Sequence, residues 1–232
     1  MQLSSTTSNL QFNSSVSLIW DFDGTIADSF LAIREAWINV CSHNNLPIPT
    51  DELILSLMGV PLELIAQKLN STNSVPNQKL VDEYKVEFEN HVKLIQSFEG
   101  IEEVLIELFK ARIPMFVVSA RTSSSLNQLL NNLGLKNFFQ KIIGAEDVIN
   151  AKPDKEAVDI IIAEFSLNRQ KVTVIGDAEV DLDMANNAEV KSILVTWGSL
   201  TLDKITDLGI QPNYIIKNPN EIKLILTQGA CK

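Results

Sequence analysis

The sequence predicts an α/β fold: a parallel sheet with helices on both of its faces, plus an α-helical segment inserted after the first strand. Three observations lead there. Short apolar runs recur near residues 17–21, 114–118, 141–144, 172–176, 192–196 and 213–216. Amphipathic helical stripes separate most of them, and alternating strands and helices suit a parallel sheet covered on both faces. Between the first two runs lie about ninety residues with helical periodicity and no clear strand.

The elements follow in chain order. Residues 1–15 are polar, without the basic and apolar segments of a secretory signal, and are expected to form a loose tail. Leu18-Ile19-Trp20 reads as a short buried strand that Gly24-Thr25 ends in a turn. In the insert, Phe30, Ile33, Trp37 and Cys41 make one helical stripe, and Val81, Tyr84, Phe88, Val92 and Ile95 another. Pro- and Asn-rich stretches at 46–50 and 70–76 break the pattern. The predicted division is a core of 16–29 and 98–232 and an insert of 30–97, with crossings near Asp28–Phe30 and Ser97–Gly100. Ile101, Val104, Leu105, Leu108 and Phe109 form the next stripe. Leu126, Leu129, Leu130 and Leu133 follow, with Gly134 where that helix should end. Val158, Ile161, Ile162 and Phe165 make a further one. A last helix should open on Asn218 as N-cap, Pro219 at N1 and Glu221 at N3. The layout is Rossmann-like, and such sheets place their sites outside the carboxyl ends of the strands.

Residues able to do chemistry fall at those ends. Asp21 and Asp23 close the first run two residues apart, a spacing that points both side chains to one side of a strand. Paired acids there suit a nucleophile and a proton carrier, although an acidic loop would read the same way. Ser119, after Met115-Phe116-Val117-Val118, leads through Ala120 and Arg121 into a helix, offering a hydroxyl and backbone N–H groups to an anion. Ser119 is equally consistent with a capping role. Lys152-Pro153 precedes another helix and could present a fixed charge to a phosphoryl group or simply be solvated. Val172-Thr173-Val174-Ile175-Gly176-Asp177 ends in an acid, with Asp181 four residues on. Oxygen-only acids at strand ends are ligands of a hard divalent cation such as Mg2+. Gly59-Val60-Pro61-Leu62 is the best candidate for an insert loop facing the site, though an ordinary helix–helix turn would look the same.

The 232 residues are 45% hydrophobic, ample for a core. A formal net charge of −10 argues against nucleic acid or an anionic membrane as partner. An acidic chain acting on a phosphate needs local cations, which draws notice to Lys152 and Arg121. Two cysteines, Cys41 and Cys231, make no disulfide framework and fit a reducing compartment. His43 and His91 suggest no zinc site. No apolar run approaches the roughly 20 residues a membrane helix needs. A cytoplasmic protein, monomer or homodimer, is expected.

The order Asp-x-Asp-Gly-Thr, Ser, Lys-Pro, Gly-Asp-x-x-x-Asp resembles the haloacid dehalogenase superfamily over roughly residues 17 to 232. Asp28-Ser29, Met58 to Leu62, Gly144-Ala145-Glu146-Asp147 and Val195-Thr196-Trp197-Gly198 look like its phosphoglycolate phosphatase and β-phosphoglucomutase branch. Ala120, Ala178 and Glu189 depart from that branch, which often carries Asn, Thr and Gly there. The resemblance implies a helical cap domain for 30–97 and a Mg2+-dependent phosphatase acting on a small phosphorylated metabolite, phosphoglycolate-like or a sugar phosphate. It implies Asp21 as nucleophile, Asp23 as acid and base, and Ser119, Ala120 and Lys152 around the phosphoryl group. Asp21, Asp177, the carbonyl of Asp23 and Asp181, as ligand or neighbour, would hold the metal. Arg121, Gly59, Val60 and Leu62 would meet the rest of the substrate. A phosphomutase of the β-phosphoglucomutase kind, or a non-catalytic phosphate-binding or phospho-accepting module, would carry much the same motifs.

Overall fold

The computed structural model describes residues 16–198 and 211–228; the expected tail at 1–15 and Cys231 lie outside them. Six parallel strands form one sheet: β1 (Ser17–Trp20), β4 (Met115–Val118), β5 (Lys141–Ile143), β6 (Val172–Gly176), β7 (Lys191–Val195) and β8 (Tyr214–Ile216). Their order across the sheet is β5-β4-β1-β6-β7-β8. β1 lies at the centre, pairing Trp20 with Val117 of β4 and with Ile175 of β6. Strand order reverses at β1, and an open α/β sheet forms its binding crevice where the order reverses.

β1 is short because four residues suffice to cross a sheet buried on both sides. Leu18 and Trp20 join one apolar cluster and Ile19 the other. The period of two thus feeds alternate side chains to opposite faces. On one face pack α5 (Ile101–Lys110), α6 (Ser123–Asn132) and α9 (Glu221–Gln228), through Ile101, Leu105, Leu126, Leu130 and Ile222. On the other lie α7 (Glu156–Glu164) and α8 (Glu179–Asn187), through Val158, Ile161 and Met184. Thr122 caps α6, its hydroxyl accepting the Ser125 N–H at 3.3 Å. Gly134 takes φ +72 just past the helix, as its position predicts. The last helix begins at Glu221, two residues later than an Asn218 cap with Pro219 at N1 implies. Asn218 accepts the Asn220 N–H at 2.9 Å and so organises the turn before the helix.

The insert holds α1 (Phe30–His43), α2 (Asp51–Leu57), α3 (Leu62–Leu69) and α4 (Asn77–His91). α1 and α4 pack together, with Trp37 stacked on Tyr84 at 4.4 Å between ring centroids and Tyr84 on Phe88 at 5.8 Å. The expectation of no strand in this region needs a correction. β2 (Ala27–Asp28) and β3 (Gln96–Ser97) form an antiparallel ribbon that holds the entry and exit of the insert side by side. Two-residue strands are too short to leave a period in the sequence.

Candidate active site

Asp21 follows β1 directly, its N–H donating to the Ile175 carbonyl of β6 at 2.8 Å, so it continues the sheet ladder to the carboxyl edge. Asp177 follows β6, and Asp181 lies in the first turn of α8, where the Ala178 N–H donates to its Oδ2 at 3.2 Å. Oxygens of Asp21, Asp177 and Asp181 lie within 4.8 Å of one another, and all three residues are buried. Lys152 Nζ reaches into this group, 2.7 Å from Asp21 Oδ1 and 2.6 Å from Asp181 Oδ1. Asp21 and Asp181 therefore share one ammonium, and that pair keeps a buried negative charge beyond what Lys152 neutralises. Burial pushes the Asp21 carboxyl well above its ordinary range; Lys152 opposes this, while Asp181, Asp177 and Asp23 add to it. The same carboxylates hold Lys152 charged, raising its ionisation against the effect of burial. Oxygen-only donors with surplus negative charge fit a hard divalent cation, so the residues present suit the metal that the sequence implies.

Asp177 is set by its neighbours. Thr25 Oγ1 donates to Asp177 Oδ1 at 3.0 Å. A methyl on Gly24 would fall 2.2 Å from Asp177 Oδ2, and one on Gly198 2.3 Å from the same atom. Gly24 also has φ +79, so its turn and its closeness to Asp177 both call for glycine. Trp197 fastens the Gly198 segment, its Nε1 donating to the Thr25 carbonyl at 3.1 Å.

Asp23 stands apart from the three-carboxylate group. Arg121 grips it with both arms of the guanidinium, Nε to Oδ2 at 2.6 Å and Nη2 to Oδ1 at 2.8 Å, and the Ser29 hydroxyl also donates to Oδ1. The Arg121 guanidinium carbon lies 4.3 Å from the Phe88 ring centroid, so an α4 side chain covers the ion pair. Such a pair, only a tenth exposed on either side, is a different object from a solvated surface bridge, which contributes little.

Ser119, at the end of β4, is buried, and its hydroxyl accepts the Arg121 N–H at 3.3 Å. Asp23, Ala120, Arg121, Gly59, Val60 and Leu62 all line one cavity of about 330 Å³. A methyl built on Gly59 would lie 3.3 Å from Val180, so the 59–62 loop does reach the core beside Asp181. Sequence reasoning missed the roles of Thr25 and Ser29 as hydroxyl partners of the acids. Thr25 carried a signal, since it belongs to the Asp-x-Asp-Gly-Thr motif. Trp37, Tyr84 and Phe88 read as core of the insert; they are buried as expected and also wall the cavity.

Three buried carboxylates around one fixed ammonium, with a fourth acid held beside them by an arginine, make a site of oxygen ligands at the carboxyl edge of a parallel sheet. The sequence pattern of the haloacid dehalogenase-like hydrolases matches residues 18–195, and the chain belongs to that family. It is 25% identical over 211 residues to the pyrophosphatase PpaX of Listeria monocytogenes, covering 90% of this chain and 95% of that one. PpaX of Bacillus velezensis is 24% identical, over 88% of this chain and 93% of its own length. Among solved structures, a haloacid dehalogenase-like hydrolase from Bacteroides fragilis superposes with a TM-score of 0.83. It is 26% identical, over 89% of this chain and 99% of that one. The fold expectation, a Rossmann-like sheet with helices on both faces and added helices, holds. No helix among the described residues is long and apolar enough to cross a membrane.

Proposed function

We propose that the chain is a Mg2+-dependent phosphatase that cleaves a small phosphomonoester through an aspartyl-phosphate on Asp21. The observation that carries this reading is the Lys152 bridge: one buried ammonium fixing Asp21 and Asp181 at the edge of a three-carboxylate group. The Asp21 carboxylate forms a bond to phosphorus as the ester P–O bond breaks, and the departing alkoxide takes a proton from Asp23. Water then attacks phosphorus and gives its proton to Asp23, releasing inorganic phosphate and restoring the Asp21 carboxylate. The Ser119 hydroxyl, the Lys152 ammonium and the N–H groups near Asp23 and Ala120 hold the phosphoryl oxygens. Asp21, Asp177, Asp181 and the Asp23 carbonyl would hold Mg2+, which supplies charge stabilisation for the phosphoryl oxygens. Asp23 Oδ1 accepts from both Arg121 and Ser29, while Oδ2 accepts from Arg121 Nε and keeps a second lone pair for the proton that Asp23 passes to the leaving group. Residues 30–97 act in this reading as a cap, hinged where the β2–β3 ribbon meets the core, that closes water out of the site. The names of the PpaX relatives and the family pattern support a phosphate substrate.

The test is hydrolysis of p-nitrophenyl phosphate. Turnover is expected in Mg2+, is expected to vanish in excess chelator, and is expected to be poor in Ca2+, which prefers more ligands at longer distance. Full activity in chelator would refute the metal assignment. A second measurement probes Asp177 together with the turn that holds it. Gly24→Ala drives a methyl into its carboxylate, and should raise the Mg2+ concentration for half-maximal rate by about ten- to a hundredfold, as other changes beside metal ligands do. An unchanged Mg2+ requirement would remove Asp177 from the ligand set.

A further inference from the structure

We infer that the alcohol released by this enzyme is an apolar alkyl or aryl body with few hydroxyls, and not a sugar; this rests on the phosphatase reading above. The cavity that begins at Asp23 is walled by the insert, and the buried part of that wall is aliphatic and aromatic. It includes Trp37, Ile54, Leu57, Ile65, Tyr84 and Phe88, every one less than a tenth exposed. Of the polar residues that line the cavity from the insert and α6, Lys85, Glu89 and Gln128 are exposed and Ser125 is half-buried. Glu89 and Gln128 hydrogen-bond to each other at 3.1 Å. Polar groups thus stand where water reaches, and apolar groups where the ester's alcohol must go.

The buried wall has almost nothing for hydroxyls to bond. Beyond Asp23 and Arg121, whose guanidinium is taken up by that carboxylate, it offers the Tyr84 hydroxyl, which burial keeps neutral, and the Trp37 indole N–H, which has no partner among the described residues. Each sugar hydroxyl placed there without a partner would lose roughly tenfold in affinity. Each methylene of an alkyl chain would gain about fourfold until the space is filled. At about 330 Å³ the cavity stands near the small end for ligand pockets, which suits a short chain or a single ring.

Wild-type enzyme should be assayed in Mg2+ with ethyl, butyl and hexyl phosphate, glycerol 3-phosphate and glucose 6-phosphate. Expected is a kcat/KM that climbs several-fold from ethyl to butyl to hexyl and exceeds that of glucose 6-phosphate at least a hundredfold. A flat alkyl series, or one in which glycerol or glucose phosphate leads, overturns the inference while leaving the phosphatase reading standing. Binding of ethyl- and hexylphosphonate is measured alongside, so that a chain without turnover still reports. Tighter binding of the hexyl compound supports the apolar wall even if the phosphatase reading fails, and equal binding overturns it. In Leu62→Gln, which places an amide on the half-buried lining, the hexyl-to-ethyl ratio should fall at least threefold. An unchanged ratio counts against that wall as the alcohol's seat.

Discussion

Asp21→Asn is expected to cut turnover to below about one per cent of wild type on every phosphate ester, a loss of the size seen when a nucleophile is removed. An amide oxygen keeps the shape of the carboxylate and can still accept from Lys152, but it has neither the charge nor the nucleophilicity to open a phosphate ester. The structure adds a second half to this expectation. Burial is the largest cause that pushes the Asp21 carboxyl upward, ahead of the opposing pull of Lys152. The charged form is therefore disfavoured in the folded state without metal, and removing the charge relieves the fold. In chelator, Asp21→Asn should melt no lower than wild type, so lost activity cannot be ascribed to unfolding. Residual turnover above one per cent would take the nucleophile's role from Asp21. A clear drop in melting temperature would show instead that the Asp21–Lys152 attraction outweighs the cost of burial.

How much of the fold and the site is legible in the amino-acid sequence depends on the range of the signal. β6 is plain because Val172-Thr173-Val174-Ile175-Gly176 is a β-branched run bounded by turn residues. α5 and α6 are plain because their apolar residues recur at three and four. Asp21, Asp23 and Asp177 are legible as well, since each stands at the end of a run that has to be a buried strand. What sequence does not carry is pairing across the chain. Arg121 lies 98 residues from the carboxylate it grips, Thr25 152 from Asp177, and Lys152 131 from Asp21. Spacing can put a lysine at the mouth of a sheet; only the fold decides which acids it meets. The β2–β3 ribbon escapes notice for the opposite reason. Its pairing joins two-residue segments with no local pattern, and its stability comes from what lies on either side. The cavity wall is only half legible, because a stripe that packs a helix pair and one that lines a pocket have the same period.

Lys152→Ala tests both the chemistry and the architecture, and its effects should be large on each. Lys152 is held within 2.7 Å of Asp21 and Asp181, with its side chain only 4% exposed. Removing one partner of a buried ionic group leaves the others uncompensated, at a cost of about 3–5 kcal/mol. For a chain of this length that corresponds to a fall in melting temperature on the order of ten degrees in chelator. Mg2+ should recover part of it, because a divalent cation held by the same carboxylates would neutralise the charge that Lys152 no longer offsets. A variant that melts like wild type in chelator would show that the two acids do not depend on this ammonium in the folded state. Turnover should fall together on alkyl, aryl and sugar phosphates, since the ammonium serves the phosphoryl group common to all of them. The cavity residues should behave in the opposite way, as a change at Val60 or Leu62 alters the ranking of esters more than the rate on p-nitrophenyl phosphate. A Lys152→Ala enzyme that lost one ester and kept another would place this lysine with the substrate's alcohol, and the division between a core that performs chemistry and an insert that selects would no longer stand.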